Sequence, residues 1–199
     1  MATLHLGTAL LHPQAAFSAI AADPPSGMRV FFGASLWLAL CPPIFAYVGS
    51  TLFGWRLGVA PLLLAPGTAL AISVTYFMFL VVGLLSAAFV AHWMASTYGA
   101  DTSFAHSLAL MTLVAVPLAI GSIVHLYPNA FFNVLALVPT LIWSMYLLYR
   151  GLPLVLKTDT GRGMLMASAL IAYLLVSWVT LLGITAVLWS LGVGPRVAI

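Results

Sequence analysis

The chain has 199 residues, of which 64% are hydrophobic and only 5% are charged, and its formal net charge is +3. Soluble domains carry about a quarter charged residues, so nine charged side chains cannot solvate the surface of a water-soluble globule of this length. Disorder is excluded as well, because it requires low hydrophobicity. The class that remains is a protein that crosses the membrane several times. Its six basic residues are too scattered for the clustered footprint of a nucleic-acid partner.

Residues 1–29 are predicted to form an interfacial and cytoplasmic segment. Their apolar stretch ends at Pro13 after about a dozen residues, which is too short to span a bilayer. A secretory signal would require a positive charge before this stretch, and none is present. We expect a short amphipathic helix whose apolar side chains lie in the headgroup boundary. These side chains are Leu4, Leu10, Leu11, Phe17 and Ile20.

Five later stretches reach the roughly 20 apolar residues that a membrane helix needs. They cover about residues 30–53, 68–94, 104–126, 130–149 and 164–191, and a short tail, 192–199, follows. Asp101, Thr102 and Ser103 precede the third span with side-chain oxygens that can cap a helix. The predicted fold is therefore all-α: a bundle of five transmembrane helices with a short N-terminal interfacial helix, in one membrane domain over residues 30–191.

The basic residues predict the orientation, because short loops rich in Lys and Arg face the cytoplasm. With a cytoplasmic N-terminus, one side holds Arg29, Arg150, Lys157 and Arg162, the last three in a predicted loop at 150–163, and the other side holds Arg56 and Arg196. We therefore expect the N-terminus inside and the C-terminus outside. The four basic residues on the cytoplasmic side are expected to anchor the protein at lipid headgroups or, as an alternative, to dock a specific lipid or protein.

Prolines interrupt three of the predicted spans: Pro42 and Pro43 the first, Pro117 the third and Pro139 the fourth. Each proline lacks an amide donor and leaves the carbonyl four residues earlier without its helical partner. Such broken spans are compatible with a small polar cavity or a hinge, and also with tolerated packing defects, since proline is common in membrane helices.

Small residues recur every four positions in two spans. Gly83, Ala87 and Ala91 form one such face, and Ala115 and Ala119 form another. Small faces allow helix backbones to approach closely. These faces are expected to pack inside the bundle or against a partner.

His92, Asp101 and His106 lie around the connection between the second and third spans and are the weak candidates for a metal or haem site. Their spacing matches no known metal motif, and histidines at span ends commonly cap helices or reach the interface. No cofactor is therefore expected. Glutamate is absent, the three aspartates lie outside the spans, and no catalytic motif occurs. We expect no enzyme activity.

Three further groups of residues carry a family resemblance. Gly49-Ser50-Thr51 and Gly54-Trp55 close the first span, Leu126-Tyr127-Pro128 closes the third, and Tyr146-Leu147-Leu148-Tyr149-Arg150-Gly151-Leu152-Pro153 ends the fourth. With five spans in this order, the chain resembles the YIP-domain family of Ypt/Rab-interacting proteins, in its small bacterial inner-membrane branch.

The resemblance implies a fold and a membrane location more than an activity. Eukaryotic members are linked to Rab GTPases and vesicle traffic, and they carry a longer soluble N-terminal region with an Asp-Leu-Tyr-Gly-Pro type motif. This chain has neither feature, so Rab binding is not expected.

These observations favour a non-enzymatic inner-membrane protein that acts through partners, as an accessory subunit, assembly factor or scaffold. The expected partners are membrane lipids and other membrane proteins or a second copy of the chain. One alternative is a small channel or carrier for an uncharged or lipidic substrate, motivated by the broken spans. The other is a metal- or haem-binding membrane protein.

Overall fold

The computed structural model describes residues 6–56, 63–98, 100 and 102–191. Asp101, Leu4, Arg196 and the predicted tail at 192–199 lie outside these ranges. Within them, regular structure is helical apart from an isolated bridge between Arg56 and Asn129. The helices are α1 (Leu6–Leu11), α2 (Pro13–Ala22), α3 (Gly27–Phe53), α4 (Pro66–Thr97), α5 (Phe104–Leu126), α6 (Ala130–Val155) and α7 (Thr160–Ser190).

Helices α3 to α7 are each long and apolar enough to cross a membrane. Large apolar side chains on their outer surfaces, such as Phe89, Val134 and Val179, are more than half exposed. Such a surface is stable only when lipid covers it. The prediction of an all-α bundle of five transmembrane helices is confirmed.

Local residue chemistry explains where several helices begin. Pro66 occupies the first turn of α4, where its missing amide costs nothing. Ser103 precedes α5 as expected for a cap, and its backbone N–H donates to Nδ1 of His106 at 3.2 Å. Asn129 accepts a hydrogen bond from the Phe132 N–H before α6, at 3.0 Å.

The connection between α6 and α7 is shorter than the predicted loop at 150–163. Helix α6 continues to Val155, because Leu152 and Val155 are fully buried in the bundle and packing extends the helix. Asp159 accepts hydrogen bonds from the amides of Gly161 and Arg162, so α7 begins at Thr160. The turn itself is residues 156–159.

Helix α5 forms the centre of the bundle and is the most buried of the five. It packs against α3, α4 and α6, and α7 lies outside against α4 and α6. The face of α4 that meets the core consists mainly of small residues, Ala87, Ala88, Ala91 and Ala95, together with Met94.

Helix α2 packs onto the bundle through Phe17 and Ile20, both of which are buried. The expectation that these two side chains lie among lipid headgroups is therefore wrong. The reason is Gly151 on α6, whose missing side chain leaves room for the Phe17 ring. Leu11, by contrast, is 79% exposed, as an interfacial residue should be.

Consecutive membrane helices run in opposite directions, so the connections alternate between two ends of the bundle. We call the end that holds Arg29, Arg150, Lys157 and Arg162 the basic end. It also holds α2, the end of α4 and the start of α5. We call the other end, which holds Arg56, Tyr127 and Asn129, the opposite end.

Candidate functional site

The four basic side chains of the basic end are all exposed. The guanidinium of Arg150 lies over the ring of Tyr146, one turn earlier on α6, at 5.8 Å. Arg162 forms an exposed ion pair with Asp159, with 3.7 Å between Nε and Oδ2. Exposed pairs of this kind add little stability. These cations are therefore available to groups outside the protein.

Lys157 has an unusual backbone conformation, with φ 52°, in the left-handed region that favours glycine. It follows the C-terminal end of α6, where the N–H of Thr158 donates to the carbonyl of Pro153 at 3.1 Å. This bond and the left-handed residue before it belong to the helix-ending motif in which glycine is the usual residue. A lysine in this conformation costs about 1 kcal/mol relative to glycine. The position is unfavourable for lysine as a structural residue.

A cleft of about 220 Å³ opens beside Lys157, between the α6–α7 turn and the end of α4. Its lining residues are Tyr98, Ala100, Lys157, Thr158, Asp159 and Arg162. The cleft is open to the outside of the protein at the basic end.

Several polar atoms at the same end are buried without a hydrogen-bond partner: Nδ1 of His92, Oγ1 of Thr102, Nε2 of His106, Oγ of Ser107 and Oγ1 of Thr158. His106 is informative because its Nδ1 accepts from the Ser103 N–H. In the neutral ring Nε2 then carries the proton and is a donor. A buried donor without an acceptor costs about 1–3 kcal/mol.

The two histidines of the weak metal candidate do not face each other. His92 packs edge-on against the ring of Phe104, with 6.1 Å between centroids. Phe104 and His106 differ by about 200° around α5, since each residue turns a helix by about 100°. Among the described residues, no three His, Cys, Asp or Glu side chains are grouped as a metal site would require.

The four prolines lie in two different environments. Pro42 and Pro43 of α3 and Pro117 of α5 are buried in the bundle, and Pro139 of α6 is exposed on its outer surface. Close by in sequence, a buried hydrogen bond of 2.7 Å joins the hydroxyls of Ser35 and Thr112 and connects α3 to α5. Pro139 therefore does not share the interior with the other three.

The residues of the two small faces also differ in how far they are buried. Ala87, Ala91 and Ala119 are buried and Ala115 is half-buried. A Cβ added to Gly83 would meet nothing within 4 Å. Gly83 is therefore the one member of these two faces that is not needed for packing within the bundle.

The opposite end contains a hydrogen-bonded cluster that sequence patterns did not indicate. Nδ1 of His125 lies 3.0 Å from Oδ1 of Asn133, and the Asn133 amide donates to the carbonyls of Tyr127 and Asn129. Asn133 thus fixes the short turn between α5 and α6. Its role follows from the partners that the fold brings to it, and one asparagine in an apolar span carries no pattern that identifies them.

The backbone of Arg56 completes this cluster. Its N–H donates to the Pro128 carbonyl at 2.9 Å, and its guanidinium lies 5.0 Å from the centre of the Tyr127 ring. Gly49 touches the carbonyl of His125, and Gly54 has a positive φ of 73°. The residue groups that close the first and third spans therefore meet at one point.

The group at the end of the fourth span has its own packing reason. A Cβ on Gly151 would lie 2.6 Å from Cδ1 of Leu110 and 2.7 Å from Cζ of Phe17, and a Cβ on Gly163 would lie 2.6 Å from Cβ of Pro153. The absence of a side chain at Gly151 lets α2 pack against the bundle, and its absence at Gly163 lets α7 pack against α6. This group therefore serves assembly of the basic end.

Comparison with known proteins gives one family and one kind of relative. A family model described as the Yip1 domain matches residues 7–193. Inner membrane protein YohC of Escherichia coli strain K12 is 32% identical over 158 residues, which cover 79% of this chain and 81% of that protein. The protein of the same name from Escherichia coli O6:H1 gives the same values. No solved structure matches.

Proposed function

This chain belongs to the Yip1 family, and on that premise we propose that it is a non-enzymatic protein of the bacterial inner membrane that acts through lipid and protein partners. Its role is that of an accessory subunit, assembly factor or scaffold. The relatives named as inner membrane proteins support the location. The five apolar helices support a multi-pass topology.

The observation that carries the proposal is the unequal distribution of exposed cations. Four lie at the basic end, and Arg56 is the cation described at the opposite end. Each Lys or Arg near a bilayer surface attracts anionic headgroups with about 1 kcal/mol. The cytoplasmic leaflet carries such lipids, and short basic connections remain on that side. The basic end is therefore the cytoplasmic end, and anionic lipid is its first partner.

The limited extramembrane structure supports a role through partners. Among the described residues, the connections at the basic end are short turns and the two small helices α1 and α2. Polar side chains at two places bond to backbone or to one another, as groups that hold helices together do: Ser35 with Thr112, and His125 with Asn133.

The proposal is tested by extracting the full chain from native membranes in polymer-bounded discs and analysing the lipids and proteins that accompany it. We expect anionic phospholipids to be enriched relative to the bulk membrane, and at least one protein to accompany the chain in a fixed ratio. Replacing Arg29, Arg150, Lys157 and Arg162 together with Gln should remove the lipid enrichment.

Arg56→Gln is the matched control, because it removes a cation from the opposite end and should leave the enrichment unchanged. A lipid shell of bulk composition together with the absence of any accompanying protein would refute the proposal. Turnover of a substrate by the purified chain would refute its non-enzymatic part.

A further inference from the structure

We propose that the cleft beside Lys157 binds a phosphate group, carried by a membrane lipid headgroup or by a small soluble phosphate. This inference rests on the proposed function, because it assigns one part of the basic end to one class of ligand. Binding in the cleft differs from general attraction to anionic lipid, because it depends on Lys157 and Arg162 more than on the other two cations of the basic end.

The first argument is the imbalance of hydrogen-bonding groups at the cleft. Lys157 and Arg162 line the cleft and offer cationic donors, and Lys157 is exposed. A ligand rich in acceptor oxygens satisfies groups of this kind, and phosphate has the most of any common biological anion.

Asp159, the acidic residue of the cleft, does not oppose this assignment. Its carboxylate oxygens accept hydrogen bonds from the backbone amides of Gly161 and Arg162 at 3.1 Å and 3.4 Å. The positive N-terminus of α7 therefore already compensates much of the carboxylate charge. Lys157 has no acidic partner within ion-pair distance among the described residues.

The second argument is the backbone of Lys157. A residue in the left-handed region at the end of a helix is ordinarily glycine, and lysine is disfavoured there. Strained backbone of this kind occurs most often at functional sites. The turn places Lys157 and Arg162 in the lining of one cleft.

The decisive test measures binding of the purified full chain in neutral detergent to dioleoylphosphatidylglycerol, with dioleoylglycerol as the lipid that lacks phosphate. We expect Lys157→Gly and Arg162→Gln each to weaken binding of the phospholipid at least tenfold. Arg29→Gln and Arg150→Gln remove cations from the same end outside the cleft, and they should change binding less than threefold. Dioleoylglycerol should bind no tighter than background.

Lys157→Gly also controls for folding. Because glycine suits the left-handed turn, this variant should unfold at the same or a higher temperature than the parent protein while binding worse. Competition by inorganic phosphate at millimolar concentration assigns the site to small phosphates, and binding that resists such competition assigns it to lipid headgroups.

Equal weakening by the cleft variants and by Arg29→Gln and Arg150→Gln would overturn the inference and leave only diffuse attraction, which is compatible with the proposed function. Equal binding of dioleoylglycerol and dioleoylphosphatidylglycerol would overturn it as well. The proposed function fails separately, through an unenriched lipid shell and no accompanying protein in native discs.

Discussion

At the scale of single residues, glycines decide how closely the helices approach. Gly49 touches the backbone carbonyl of His125, Gly121 lies against the side chain of Thr140, and Gly151 lies against Phe17. The contacts of Gly49 and Gly151 join helices that are not consecutive in the chain, and the contact of Gly121 joins the consecutive helices α5 and α6. The recurrence of small residues indicated Gly83 instead, whose surroundings are open. The spacing of small residues identifies a face but does not show which neighbour occupies it.

Gly49→Ala should destabilise the protein by about 1–3 kcal/mol or more, because its Cβ would meet a backbone carbonyl that cannot rotate away. The measurement is unfolding of the purified protein by sodium dodecyl sulfate in mixed micelles. Gly33→Ala is the matched control in the same helix, since an added Cβ there meets nothing within 4 Å. A Gly49→Ala protein as stable as the Gly33→Ala protein would contradict this packing.

The hydroxyls of Ser35 and Thr112 should be energetically coupled. The two hydroxyls lie 2.7 Å apart, and each is also within hydrogen-bond distance of a carbonyl of its own helix, Val30 for Ser35 and Leu108 for Thr112. Hydrogen bonds between membrane helices are worth about 0.6 kcal/mol on average, and up to about 1.7. A double-mutant cycle with Ser35→Ala and Thr112→Val should give a coupling energy in this range. Additive effects in that cycle would mean that the bond does not connect α3 to α5.

At the scale of elements, α2 is attached to the bundle by two buried side chains, Phe17 and Ile20, of which Phe17 is the larger. The helix has ten residues, which is too short to be stable alone in water. Phe17 is fully buried between α5 and α6 and supplies its largest contact. The sequence located this helix at the membrane surface, but the part of α2 that enters the bundle depends on a space that Gly151 opens more than 100 residues later.

Phe17→Ala should release α2 while the membrane helices stay folded, because deleting a buried Phe side chain costs about 3–5 kcal/mol. Hydrogen–deuterium exchange should increase over residues 13–22 and remain unchanged over α5. Phe131→Ala removes the same side chain at a position that is 79% exposed, and it should leave exchange in α2 unaltered. Slow exchange of α2 in the Phe17→Ala protein would show that other contacts hold this helix.

At the scale of the whole molecule, orientation connects the charges to the compartments. With Cys41 replaced by Ala, Thr160→Cys at the basic end should react with a membrane-impermeant maleimide only after the inner membrane is permeabilised. Leu63→Cys at the opposite end should react in intact spheroplasts. We expect this pattern because the proposed orientation puts the basic end in the cytoplasm. The reverse labelling pattern would refute the predicted orientation.

The sequence by itself determined the class of protein, the five membrane helices and the helix start that follows Ser103. These features are local, because a helix in lipid must satisfy its own backbone and needs a fixed apolar length. The sequence also located all of its charges outside the apolar stretches, which is why nine charges suffice for 199 residues.

Only the tertiary structure decided which apolar surfaces meet protein and which meet lipid, since both are equally apolar in sequence. It brought Lys157, Thr158 and Arg162 to one cleft with Tyr98, and it separated Pro139 from the buried prolines. Such groupings depend on distances between helices, which no local pattern of hydropathy or spacing encodes.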